Sequence, residues 1–107
     1  MQLIDMRMTD RSRCFVCLPE TVAWSDMRDH ISRMPGAIVT AYVTDHIVEV
    51  WIDFTYREQL FAVNNQFGEY WFFVTQPDCS EAILTEVAVH CASINRAITE
   101  TEPESRL

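Results

Sequence analysis

Between Pro19 and Pro35 the apolar residues Trp24, Met27, Ile31 and Met34 recur every three or four positions, with Asp26, Arg28, Asp29 and Arg33 between them. That spacing gathers the apolar set on one side of a helix, and Pro35-Gly36 supplies its stop. From Ala37 the period changes to two. In the run from Ile47 to Thr55, Val48, Val50, Ile52 and Phe54 alternate with Glu49, Trp51, Asp53 and Thr55. This is the pattern of a strand buried on one face.

Neighbouring strands register against that run by matching their apolar sets. A turn at Asp45-His46 sets Val43 opposite Val48, Ala41 opposite Val50 and Val39 opposite Ile52. A turn at Arg57-Glu58 sets Phe61 opposite Phe54 and Val63 opposite Ile52. A four-residue turn, Asn65 to Gly68, then brings Tyr70 opposite Val63 and Phe72 opposite Phe61. Each register depends on the pattern, since a one-residue slip exchanges the two faces of a strand. A second helix follows Pro77, with Asp78 as cap, Glu81 closing a capping box, and a stripe of Ile83, Leu84, Val87, Ala88, Cys91 and Ile94.

The expected fold is therefore α+β: a four-stranded antiparallel β-meander with two helices packed on one face, in the order α-β-β-β-β-α. The short apolar run Arg13–Leu18, closed by Pro19, offers an extra N-terminal strand. Residues 1–107 read as a single domain, with 1–12 and 99–107 as flexible tails.

Two helices cover one face of such a sheet. By these registers the other face carries Ile38, Thr40, Tyr42, Glu49, Trp51, Asp53, Leu60, Ala62, Asn64, Trp71 and Phe73. Large aromatics stand there among acids and an amide. Tyr70-Trp71-Phe72-Phe73-Val74 is apolar on both sides, so something must cover the second. The cover is the Arg13–Leu18 segment or the first helix folded across, a second copy of the chain, or a foreign partner.

Composition narrows the partner. Sixteen acids face eight bases, all of them arginine, for a net charge of −8. Phosphate binding relies on clustered cations, so nucleic acid is not an expected partner. No run approaches the length of a membrane span, and the first eight residues lack the apolar core of a signal peptide. A cytoplasmic protein with reduced cysteines and no membrane partner is expected.

The chemistry-bearing residues support few reactions. Cys14 and Cys17 form a C-x-x-C, and His90-Cys91 would have to complete a zinc site. An extended Phe15-Val16 would send the two cysteines to opposite faces, so neither metal nor cofactor is expected. Cys79, near a helix N-terminus, is the best thiol candidate. The amides of Asn64-Asn65-Gln66 suit a turn. Two glycines, Gly36 and Gly68, build no phosphate loop.

What remains is a small acidic protein–protein interaction module, a homodimer or a binder of another protein. It would bind through Tyr42, Glu49, Trp51, Asp53, Leu60, Asn64, Trp71 and Phe73, with no catalytic residues. The rival is a small-molecule-binding protein or enzyme that uses Asp53, Glu49 and Asn64, acids flanked by aromatics.

Overall fold

Arg57 and Glu58 both take positive φ, 49° and 66°. Two consecutive left-handed residues make a tight hairpin turn whose twist matches that of the flanking strands. They join β4 (Val50–Tyr56) to β5 (Gln59–Gln66), with Phe54 opposite Phe61 and Ile52 opposite Val63, as the apolar pattern requires. The structure, a computed structural model, describes residues 2–45, 49–66 and 68–105, with side chains at all of these except 66 and 95–105.

Around this hairpin the chain is an α+β fold. Among the described residues one antiparallel sheet has six strands, in the order β1-β2-β6-β5-β4-β3. The others are β1 (Met6–Arg7), β2 (Arg13–Pro19), β3 (Ile38–Thr44) and β6 (Glu69–Val74); the helices are α1 (Trp24–Ser32) and α2 (Glu81–Ser105). The meander from β3 to β6 is present, but the sheet is wider than the expected four strands. Arg13–Pro19 pairs with β6, setting Val16 opposite Phe72 and Leu18 opposite Tyr70, and Met6–Arg7 pairs with β2 in turn. The N-terminal run thus extends the edge and does not lie across the second face. No helix among the described residues is long and apolar enough to cross a membrane.

Two expected registers differ. At β3, Val39 lies opposite Phe54, but Ala41 lies opposite Asp53, Tyr42 opposite Ile52 and Val43 opposite Trp51. A bulge at Thr40 is the cause: one extra residue on β3 exchanges the faces of everything after it. Val43 is consequently exposed and Tyr42 turns to the helices, where the Arg28 guanidinium sits 4.6 Å from its ring centre. His46 and Val48, placed by the pattern in the turn and opposite Val43, lie outside the described residues. At β6, Phe72 lies opposite Val63 and Val74 opposite Phe61, a slip of two. β5 continues to Gln66, which pairs with Glu69, so the connection is shorter than four residues; Gly68 has φ 76° and Phe67 lies outside the described residues. A slip of two leaves the faces unchanged.

Both helices pack on the side of Ile52, Phe54, Phe61, Val63, Tyr70, Phe72 and Val74, against Met27, Ile31, Leu84, Val87, Ala88 and Cys91. Phe54 and Phe61 stack with centroids 5.0 Å apart. The two helices also meet each other: the rings of His30 and His90 stack at 4.2 Å, and each Nε2 lies 2.6 Å from the other residue's carbonyl oxygen.

The start of α2 differs from the expected capping box. Ser80 is the cap, its Oγ accepting the Ile83 N–H at 3.2 Å, because a turn closed by the Cys79 N–H on the Gln76 carbonyl places Asp78 outside the helix. Glu81 pairs instead with Arg13, whose buried guanidinium donates to Glu81 Oε2 at 2.6 Å and to the Ile4 carbonyl at 2.8 and 3.1 Å. That charge-assisted cluster ties β2, α2 and the segment before β1 together and holds the Glu81 carboxyl below its usual range.

Candidate functional site

Cross-strand pairing sorts the helix-free face into three rows. Val43, Trp51, Asn64, Trp71 and Cys17 form the first, from β3 to β2. Ala41, Asp53, Ala62, Phe73, Cys14 and Met6 form the second, which crosses all six strands. Ile38, Thr55 and Leu60 form the third.

Short side chains in the middle row leave a depression. Thr40, Asp53 and Ala62 lie along it while Trp51, Leu60 and Phe73 stand around it, and the Met8–Ser12 loop between β1 and β2 closes one end. The volume is about 470 Å³, within the range of small-ligand sites. The loop wall is braced from within: the Asp10 carboxylate accepts from the Ser12 N–H at 2.9 Å and from its hydroxyl at 2.6 Å, bonds that hold the Asp10 carboxyl below the usual range.

Two polar side chains mark this face. Asp53 Oδ1 accepts the Trp51 indole N–H at 2.6 Å, which fixes the ring along the strand. Asn64 lies between Trp51 and Trp71 in its row and is buried, and its Oδ1 has no hydrogen-bond partner among the described residues. An unmet buried amide of this kind costs about 1–3 kcal/mol. Asn65 does otherwise: its Oδ1 takes the Val50 N–H at 2.9 Å, the strand-end role expected of an amide there.

Six of the eight residues expected on the binding face share it. Trp51, Asp53, Leu60, Asn64 and Phe73 line the cavity, and Trp71 stands beside Asn64 in the first row. Phe73 is itself buried. Glu49 lies past the end of β4 in a more open depression with Val43, Trp51 and Asn64, so it does not meet Asp53 as a second carboxylate in one cavity. Tyr42 is on the helix side, a consequence of the Thr40 bulge.

The pattern missed the contribution of β2. A second bulge, between Cys14 and Val16, brings both cysteines to the helix-free face, with Sγ atoms 3.9 Å apart. The expectation that they point apart is overturned by Phe15, which takes the extra position and turns inward. Burial, and then the neighbouring thiol, pushes Cys14 up to about 12, and burial raises Cys17 too. Cys79 is not an activated thiol: burial raises it, and Asp78 and Glu81 add to the rise despite the helix N-terminus. His90 and Cys91 belong to α2, across the sheet from Cys14 and Cys17, and no group of three or more His, Cys, Asp or Glu among the described residues is placed to hold a metal. Exposure is concentrated on the β3 side, where Ile38, Val43, Leu60 and Trp51 are 63, 61, 56 and 43% exposed. Comparison with protein-family models, curated proteins and solved structures found no match, so these residues are the whole basis for a functional reading.

Proposed function

We propose that this protein is a polypeptide-binding module that acts through the helix-free face of its sheet and the adjoining β3 edge, with a second copy of the chain as its first partner. The observation that carries this reading is the state of β3. It is seven residues long, carries no charge, ends the sheet order, and presents Ile38 and Val43 to solvent next to Trp51 and Leu60. Sheet edges are ordinarily blunted by shortness or charge, because they template pairing with another chain. The opposite edge is blunted in that way, since β1 has two residues and Arg7 there is bonded to Asp5. The contrast supports β3 as the joining edge, with the apolar residues beside it buried by a twofold-related copy.

Light scattering during gel filtration tests this. The wild type is expected at twice the 12.5 kDa chain mass, and Val43→Lys/Trp51→Glu at the chain mass with an unchanged helical signal. Two copies each carrying −8 repel, so the dimer should tighten as salt rises. A wild-type monomer at all salt concentrations sinks the reading. The cavity over Asp53 favours a second reading, a small ligand with a hydrogen-bond donor. In that case Asp53→Asn would abolish ligand-induced thermal shifts and leave assembly untouched.

A further inference from the structure

The thiols of Cys14 and Cys17 have no part in the cavity or in the assembly just described, yet a bulge brings them together on an otherwise ordinary strand. We propose that Cys14, Cys17 and Met6 form a binding site for a soft monovalent metal ion, copper(I) or its silver(I) analogue.

The two thiols are in van der Waals contact, with their sulfurs 3.9 Å apart. A metal held by bonds of about 2.3 Å spans roughly 3.8 Å between sulfurs at a tetrahedral angle and roughly 4.0 Å at a trigonal one. The observed separation falls between the two, so an ion enters with little movement of either side chain.

The third sulfur comes from β1. Met6 lies directly opposite Cys14 in the ladder, so both side chains project from the same face. Directly opposed residues have Cβ atoms about 4.5–5.5 Å apart, within reach of a flexible thioether. Met6 is 41% exposed and Cys17 half-buried, which gives the ion a way in, while Cys14 lies beneath at 0%.

Donor chemistry selects the metal. Two thiols and a thioether are soft ligands, which suit copper(I). Zinc wants four donors, and among the described residues no further His, Cys, Asp or Glu joins the pair. A monovalent d10 ion is content with two or three. Binding releases two thiol protons to solvent and leaves a bis-thiolate complex of net charge −1, with the methionine sulfur as a neutral third donor.

Native mass spectrometry of the reduced full chain, titrated with silver(I) as a redox-inert probe, tests the site. The wild type is expected to take up one ion, Cys17→Ser none, and Cys79→Ser one as before. Met6→Leu, which keeps the shape of an exposed residue, should weaken binding by at least the roughly 10-fold that even outer-shell losses cost. X-ray absorption of the copper(I) form, loaded without oxygen, should show a shell of sulfur only. Circular dichroism separates loss of a ligand from loss of the fold, and Met6→Leu keeps the test decisive if Cys17→Ser does not fold. A wild type that binds no silver, a Cys17→Ser that binds as well as wild type, or equimolar zinc that displaces silver overturns the assignment.

Discussion

Truncation of Phe15 to alanine is expected to destabilise the protein by about 3–5 kcal/mol, the range for emptying an aromatic position in a closed core. Phe15 has no exposed surface. Its ring meets Phe61 and Phe72 edge-on at 5.8 and 6.4 Å, so removal leaves a void between β2 and the centre of the sheet and forfeits two favourable aromatic contacts. The residue also occupies the bulge. Backbone at a bulge is less well held by the ladder than regular strand, so the interior contact of Phe15 is what keeps the extra residue turned inward. Against a total stability of about 5–15 kcal/mol, the loss removes a large share. Urea denaturation should show a lower midpoint with an unchanged slope. A loss under about 1 kcal/mol would mean that β2 slides to close the void and that the bulge is soft.

The same residue shows where a sequence pattern stops being informative. The faces of β4, β5 and β6 were legible because Val50, Ile52 and Phe54, Phe61 and Val63, and Tyr70, Phe72 and Val74 keep a strict period of two, which a slip of two at the Gly68 turn cannot disturb. Trp51, Asp53, Asn64, Trp71 and Phe73 were placed together for that reason alone. Bulges defeat the same argument. Thr40 and Phe15 each add a residue that no composition signal marks, and each exchanges the faces beyond it, removing Tyr42 from the site and bringing Cys14 and Cys17 into it. In Arg13–Leu18 the hint was there: Phe15, Val16 and Leu18 are a poor alternation, and a bulge is what reconciles them with one buried face.

Long-range choices were less legible still. Alternation says that a strand has a buried face but not which neighbour it joins, so the attachment of β2 to β6, and of β1 to β2, had no local signature. With it went the Met8–Ser12 wall of the cavity. At the start of α2 the pattern pointed to Asp78, but the turn closed by the Cys79 N–H on the Gln76 carbonyl leaves Asp78 outside the helix and Ser80 caps it, while Glu81, the partner in the expected box, is engaged by the buried Arg13 68 residues earlier in the chain.

Acidification from pH 7 to 5 is expected to weaken the junction between α1 and α2. Each histidine Nε2 faces a carbonyl at 2.6 Å, and a carbonyl only accepts, so both Nε2 atoms carry the proton and Nδ1 is where an added proton must go. Burial holds His30 below its ordinary 6.5; the charges of His90 and Arg33 act the same way, and the hydrogen bond to the His90 carbonyl opposes them. In this window the unfolded chain binds the proton more readily than the folded one. Stability is therefore complete above about pH 6.5 and is lost as pH falls through the lowered value. The carboxyls of Asp5, Asp10 and Glu81 are also lowered, and their loss falls at still more acid pH. A proton added to His30 places a charge in a half-buried ring stacked 4.2 Å from His90, with Arg33 nearby, and burial is the larger part of the cost. Thermal melts should show a midpoint that drops between pH 7 and 5 in the wild type and stays level in His30→Gln, whose amide donates to the same carbonyl without titrating. If the two proteins fall in parallel, the acid sensitivity lies elsewhere and the stacked pair is only a packing contact.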